Sequence, residues 1–284
     1  MNYSVYPPYS KPTQVLAKWF GVKTCCLVSD LPAYLYKMHE AKGIRAFLNN
    51  HYSKKMVKLQ TKFDMYVLLT KHMSKKMCIE SKPSIVVEGF ADASIFDSVE
   101  DVQKNKCKTI MYAGALSKSF NIDKLLDAFA QIKGDYKLWL FGYGDMVDYI
   151  NECAAKDNRI TYFGKVDRKT LLEHQKAAHL LVSVKSSEED HANYAFPSKI
   201  LEYMVSGTAV ASTTVGGIPK EYFDYIYPIK GNDVEAIRDA LKEILETEAS
   251  VLQQQGEKAR EYATTEKNYS KQAKRIVDFL SEQI

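Results

Sequence analysis

From Ser84 onward the hydrophobic pattern is regular: short apolar or β-branched runs alternate with longer segments in which apolar residues recur every three or four positions. The runs at residues 85–88, 109–113, 137–141, 160–163, 180–184 and 209–212 have the length and continuity of strands buried on both faces of a parallel sheet. The segments between them predict helices. Residues 121–132 place Ile122, Leu125, Leu126, Phe129 and Ile132 on one face, and residues 167–178 open on an acidic N-cap, Asp167. Further helices at 233–245, 251–262 and 270–283 close the chain. Alternation of this kind predicts an α/β fold with one complete Rossmann-type, doubly wound parallel-sheet domain.

The pattern before Ser84 is less regular. Residues 1–20 are aromatic and proline-rich, with Val15, Leu16, Trp19 and Phe20 at helical spacing, where a parallel α/β domain ordinarily opens on a strand and a glycine-rich turn. Residues 23–29 read as a buried strand, and Asp30 at its carboxyl end is a candidate site residue; the alternative is an Asp that caps the turn ahead of Leu31-Pro32. A basic helix follows at 44–62, then a strand at 65–70, a helix at 72–79 and a polar break at 80–83. The break predicts three parts: a partial N-terminal Rossmann-like domain over 1–83, a second domain over 84–265, and a C-terminal helix, 266–284, packing back toward the first domain.

Residues 194–207 are the stretch around which the chemistry gathers. Pro197 and Ser198 are helix-opening residues, the serine side chain being able to cap an orphan amide; Ile200, Leu201, Met204 and Val205 follow at helical spacing, and Gly207 stops the helix. Free amides at its start, with the charge of Lys199 added, describe a phosphate site. Glu202, one turn on, could accept hydrogen bonds from a pair of ribose or sugar hydroxyls. The plainer reading of Lys199 and Glu202 is a solvated surface pair. Glycines recur at strand ends, at Gly114, Gly142, Gly144, Gly164, Gly216 and Gly217, where backbone can turn tightly or approach a ligand.

Charge divides the chain in two. The net charge of +4 over 284 residues conceals +10 on residues 1–82 and −6 on the rest. Such asymmetry marks a module that can face something anionic, and the helix at 44–62, carrying His51, Lys54, Lys55, Lys58 and Lys62, reads either as a solvated face or as a surface resting on anionic lipid headgroups. The lysines lack the aromatic platform or recognition motif that nucleic-acid binding needs. Cys25, Cys26, Cys78, Cys107 and Cys153 have no metal-ligand spacing, and their odd number points to reduced thiols in a cytosol. No apolar run reaches the roughly 18 residues of a membrane span, and no signal peptide is visible, so the chain is expected in the cytoplasm, peripheral at most on the inner face of the cell membrane.

With these motifs placed, residues 64–284 resemble the retaining glycosyltransferases of family 4, whose fold is GT-B, and within them the capsular or exopolysaccharide type. The resemblance rests on Ile85-Val86-Val87-Glu88-Gly89-Phe90-Ala91-Asp92, Thr109-Ile110-Met111-Tyr112-Ala113-Gly114, Leu138-Trp139-Leu140-Phe141-Gly142-Tyr143-Gly144, Ile160-Thr161-Tyr162-Phe163-Gly164 and Phe196-Pro197-Ser198-Lys199-Ile200-Leu201-Glu202-Tyr203-Met204, in the family's order. It implies transfer of a hexose from a UDP- or GDP-sugar to a saccharide or lipid-linked saccharide, with no metal and no cofactor beyond the donor. Backbone at Gly164, Lys165 and Val166 would border the base, and Glu202 would hold the ribose. Pro197, Ser198 and Lys199, with the turn at Gly114, would meet the diphosphate, and the donor sugar would lie under residues 190–194.

The sequence also departs from the family. Tyr194 stands where the first of two paired glutamates belongs, and Ala115 and Phe120 where an arginine and a lysine belong, leaving Lys199, Lys118 and Lys165 as the available cations. Residues 1–83 correspond to the latter half of a first Rossmann domain, which would leave the strand at 23–29 with unpaired edges. The alternative expectation is therefore a non-catalytic or split-enzyme nucleotide-sugar-binding subunit, with a second chain supplying the missing half.

Overall fold

The computed structural model describes residues 1–3, 7–31, 43–100, 102–186 and 190–283. Pro32, after Asp30, and residues 187–189, before the loop at 190–194, lie outside the described residues. The chain divides into two compact units. One joins Met1–Gly89, Asp190–Phe196 and Ser270–Ile284, and the other joins Phe90–Glu189 and Pro197–Tyr269.

The first unit holds β1 (Asn2–Tyr3), α1 (Pro7–Phe20), β2 (Cys25–Val28), α2 (Ile44–Gln60), β3 (Met65–Leu68), α3 (His72–Lys76) and β4 (Ser84–Val86). Its sheet is parallel, in the order β1-β2-β3-β4. Two expectations are corrected here. The strand around Cys25 is paired on both sides, along its whole length with β3 and at Cys26 and Leu27 with Asn2 and Tyr3; β1 is too short to leave a hydrophobic run in the sequence. The strand at 85–88, expected to open the second domain, closes the first sheet, with Val67 against Ile85. A strand's apolar run marks it as a strand, not which sheet takes it.

Alternation along these strands fills two layers. Cys26, Val28, Tyr66 and Leu68 join Met56, Phe63 and Met73 on one face. Cys25, Met65 and Val67 join Val87 on the other, against Ile276, Phe279 and Leu280 of α10 (Tyr269–Gln283). Burial pushes the Cys25 thiol up to about 11 and, with Cys25 alongside, the Cys26 thiol up to about 12, so both are core rather than nucleophile.

The second unit runs β5 (Lys108–Ala115), α4 (Ile122–Gln131), β6 (Tyr136–Tyr143), α5 (Val147–Lys156), β7 (Ile160–Gly164), α6 (Arg168–Ala177), β8 (Leu180–Ser183), α7 (Lys199–Val205), β9 (Ala209–Thr213), β10 (Tyr227–Ile229), α8 (Val234–Glu246) and α9 (Ala249–Glu266). All six strands are parallel, in the order β10-β9-β8-β5-β6-β7. This is the predicted doubly wound sheet, with one strand the hydrophobic pattern missed: β10 has three residues and a central Pro228, which an edge strand tolerates. One face of the sheet carries a continuous core, in which Leu125, Leu126 and Phe129 of α4 join Ile237, Leu241 and Leu245 of α8. Among the described residues, no helix is long and apolar enough to cross a membrane.

Candidate functional site

The order of the second sheet places its switch point between β5 and β8, since the chain winds outward from β5 to β6 and β7 on one side and to β8, β9 and β10 on the other. Ligands of such sheets sit beyond the carboxyl ends of the strands at this point. β5 and β8 pair at Ile110 with Leu180 and at Met111 with Leu181. Further along β5, both backbone groups of Ala113 are met by the hydroxyl of Tyr203, which accepts from its amide and donates to its carbonyl at 3.0 Å each. Tyr203 is buried in α7, so that helix is strapped across the opening between the strands.

The residue before Tyr203 is Glu202. Its side chain is only 15% exposed, so the solvated-pair reading fails. One oxygen, Oε1, accepts from Gln175 Nε2 at 2.9 Å and from Lys199 Nζ at 3.3 Å; the other, Oε2, accepts from Arg168 at 3.2 Å. Burial works to raise the pKa of this carboxyl, but Lys199, Gln175 and Arg168 outweigh it and hold the group below the usual carboxylate range. The result is an ionised acceptor in a largely dry setting, ringed by two cations.

Arg168 and Gln175 escape the sequence reading altogether. Both come from α6, whose start is capped as predicted, Asp167 accepting from the Thr170 amide at 3.0 Å. His174 of the same helix lies among Trp139 and Phe141 of β6 and Phe163 of β7, with ring centroids 5.0–5.3 Å away. That aromatic cluster fixes the rotation of α6 on the sheet and so turns Gln175 toward Glu202. The one available signal was weak: a glutamine on the apolar side of a helix, five residues before the next strand.

The other candidates fall into separate places. Ser198 is exposed and helical and makes no side-chain capping bond, so the expected serine cap is absent; α7 opens instead on a tight turn, with the Ile200 amide donating to the Pro197 carbonyl at 2.9 Å. The helix has only seven residues, which leaves the positive character of its start to Lys199 and Arg168. Gly207 stops it in the left-handed region, at φ 77°. Lys165 and Lys118 are exposed, and Val166 is half-buried. Gly142 and Gly144 are required by neighbouring backbone: a Cβ at Gly142 would lie 1.8 Å from the Gly114 carbonyl oxygen, and one at Gly144 would lie 2.0 Å from that of Leu116. In the first unit, Asp30 is exposed beyond the end of β2, and Tyr194 packs on the core with the Lys76 ammonium 5.2 Å from its ring centre.

Comparison with known proteins agrees with this arrangement. The sequence of residues 95–263 matches the profile of the family Glycosyl transferases group 1. No curated protein is a significant match to the chain. Among solved structures, sucrose-phosphate synthase from Thermosynechococcus elongatus is similar with a TM-score of 0.71 at 14% identity, over 99% of this chain and 72% of that one. Anabaena HepE in complex with UDP is similar with a TM-score of 0.70 at 14% identity, over 99% and 78%. These GT-B glycosyltransferase neighbours, with the two parallel sheets of this chain, bear out the predicted α/β, GT-B-like fold class. With a profile match spanning more than half of its length, the chain belongs to the glycosyl transferases of group 1.

Proposed function

We propose that this glycosyltransferase moves a hexose from a UDP- or GDP-sugar to a saccharide or lipid-linked saccharide, with retention at the transferred carbon, in the synthesis of a capsular or exopolysaccharide. The observation that carries the reading is Glu202: a carboxylate withdrawn from water yet kept charged, beside the switch point of a parallel sheet. Such a group is suited to accept both hydroxyls of a ribose. HepE, similar in fold, has been solved with UDP and with UDP-glucose, which supports a nucleotide-sugar donor here.

In this reading Gly164, Lys165 and Val166 border the base, and Pro197, Ser198 and the turn at Gly114 face the diphosphate. When the bond from sugar to phosphate breaks, its electron pair stays on the diphosphate, and fixed positive charge there lowers the barrier. Lys199 and Arg168 supply that charge, in place of the cations the family carries where this chain has Ala115 and Phe120. Asp30 and Tyr194 are assigned by the same reading to the acceptor and the donor sugar. The charge of +10 on residues 1–82 supports work against an anionic membrane face in the cytoplasm.

The test is thermal stability of the protein with UDP, GDP and ADP and their sugar conjugates. A ligand at a hundred times its Kd adds about 2.7 kcal/mol to the native state. Stabilisation by one nucleotide, lost in Glu202→Ala, is the expected result, with turnover from that donor abolished in Glu202→Ala and Lys199→Ala. Stabilisation by none of them would sink the donor site, and unchanged turnover in both variants would sink the assigned roles.

A further inference from the structure

The three groups that hold Glu202 are not equivalent. Gln175 is fully buried, whereas Lys199 is 41% and Arg168 55% exposed. The Gln175 amide has one workable orientation, because turned over it would set its carbonyl oxygen against a carboxylate. Its own Oε1 is buried with no hydrogen-bond partner among the described residues, so the Nε2 contact with Glu202 is what orients the group. The backbone beneath is fixed as well: the Gln175 carbonyl accepts from Thr208 Oγ1 at 2.7 Å, and the preceding His174 is held in the aromatic cluster. Arg168, by contrast, is the first residue of α6 and reaches Oε2 from solvent.

We infer that Gln175 is a positioning residue for the donor, aiming the Glu202 carboxylate through Oε1, and that Arg168 is the exchangeable partner whose place on Oε2 a ligand hydroxyl takes. The inference rests on the donor-site reading above. It divides the carboxylate into a permanent half and a working half: one oxygen is tied to the fold, and the other is covered by a side chain that can swing into water or onto the ligand's phosphates. Gln175 would touch neither ribose nor phosphate and would act only through Glu202. Among the described residues, the charged groups bonded to Glu202 are Lys199 from its own helix and Arg168 from α6, so Gln175 is the neutral member of the set and its removal takes no charge away.

Calorimetric titration of the full chain with UDP and with GDP, from pH 5 to 8.5, tests this. In Gln175→Met the affinity for whichever nucleotide binds should fall about tenfold at pH 7.5, the loss of one hydrogen bond to a charged group. Its decline toward acid should also begin at a higher pH than in the wild type, since the carboxylate has lost a donor. Gln175→Glu should invert the profile. There the two carboxyls can coexist only by sharing a proton, so affinity should rise as the pH falls from 8 to 6. Lys169→Ala, on the exposed side of the same helix, should keep the wild-type profile. Gln175→Met with wild-type affinity and pH dependence would overturn the proposal. So would equal, pH-independent losses in both Gln175 variants, which would mark a packing role. Binding of neither nucleotide by the wild type would overturn the donor-site reading, and this inference with it.

Discussion

The hydroxyl of Tyr203 closes both backbone groups of Ala113, 3.0 Å from each, beyond the point where β8 pairs with β5 at Ile110 and Met111. A side chain thus takes up these backbone groups, and it does so from the residue next to Glu202.

Tyr203→Phe removes one hydroxyl and leaves a buried amide and a buried carbonyl unpaired, at about 1–3 kcal/mol for each group. We expect the variant to lose about 2–4 kcal/mol of stability in urea unfolding, with an unchanged m-value. Because α7 is released at its middle, nucleotide affinity should fall as well. A loss below about 0.5 kcal/mol would show that the strap contributes little.

Two glycines at strand ends should respond very differently to alanine. At Gly142, φ is 129° and the new methyl would meet the Gly114 carbonyl oxygen, so Gly142→Ala should destabilise by about 3 kcal/mol or more. At Gly164, φ is 68° and the nearest atom lies 3.9 Å away, which leaves only the left-handed penalty of about 1–2 kcal/mol. Chemical denaturation of the pair distinguishes them; similar losses would mean that the β5 and β6 ends can spread.

Lys199→Met should act on Glu202 as well as on phosphate. Burial opposes ionisation of this carboxyl, and Lys199 is the strongest of the groups that overcome it, so its loss raises the pKa. A carboxyl whose folded pKa is depressed contributes stability above its unfolded pKa and loses it as the pH falls through the folded value. In the variant that loss, and the acid limb of nucleotide binding, should both move to higher pH. An acid limb in the wild-type position would show that Gln175 and Arg168 suffice.

His179 offers a pH effect away from the site. It is buried, its Nδ1 accepts from the Thr109 amide at 3.2 Å, and burial, with Lys104 and Lys108 nearby, depresses its pKa to about 4. The folded state therefore disfavours the cation. Stability from this residue is full above the ordinary histidine value near 6.5 and is lost as the pH falls toward 4, by about 1–2 kcal/mol after allowance for solvent screening. His179→Gln should flatten the stability of the protein between pH 6.5 and 4.5. Parallel slopes for the two proteins would show that His179 is not the group that titrates.

Residues 121–132, with apolar positions on one face, and the strands from Thr109 to Ser212 were legible in the sequence because periodicity is local: a helix or a buried strand is encoded in the residues that form it. The same holds for the cap at Asp167 and the stop at Gly207. The tertiary structure alone decided that the strand at Ile85 belongs to the first sheet, that Gly142 and Gly144 make room for neighbouring backbone, and that Ser198 caps nothing. It also decided what surrounds Glu202. Gln175 and Arg168 lie 27 and 34 residues earlier in the chain, on a helix whose rotation depends on His174 seating among rings from β6 and β7. No local pattern carries that information, because the meeting of two side chains on different helices is set by the strand order between them and by the packing beneath.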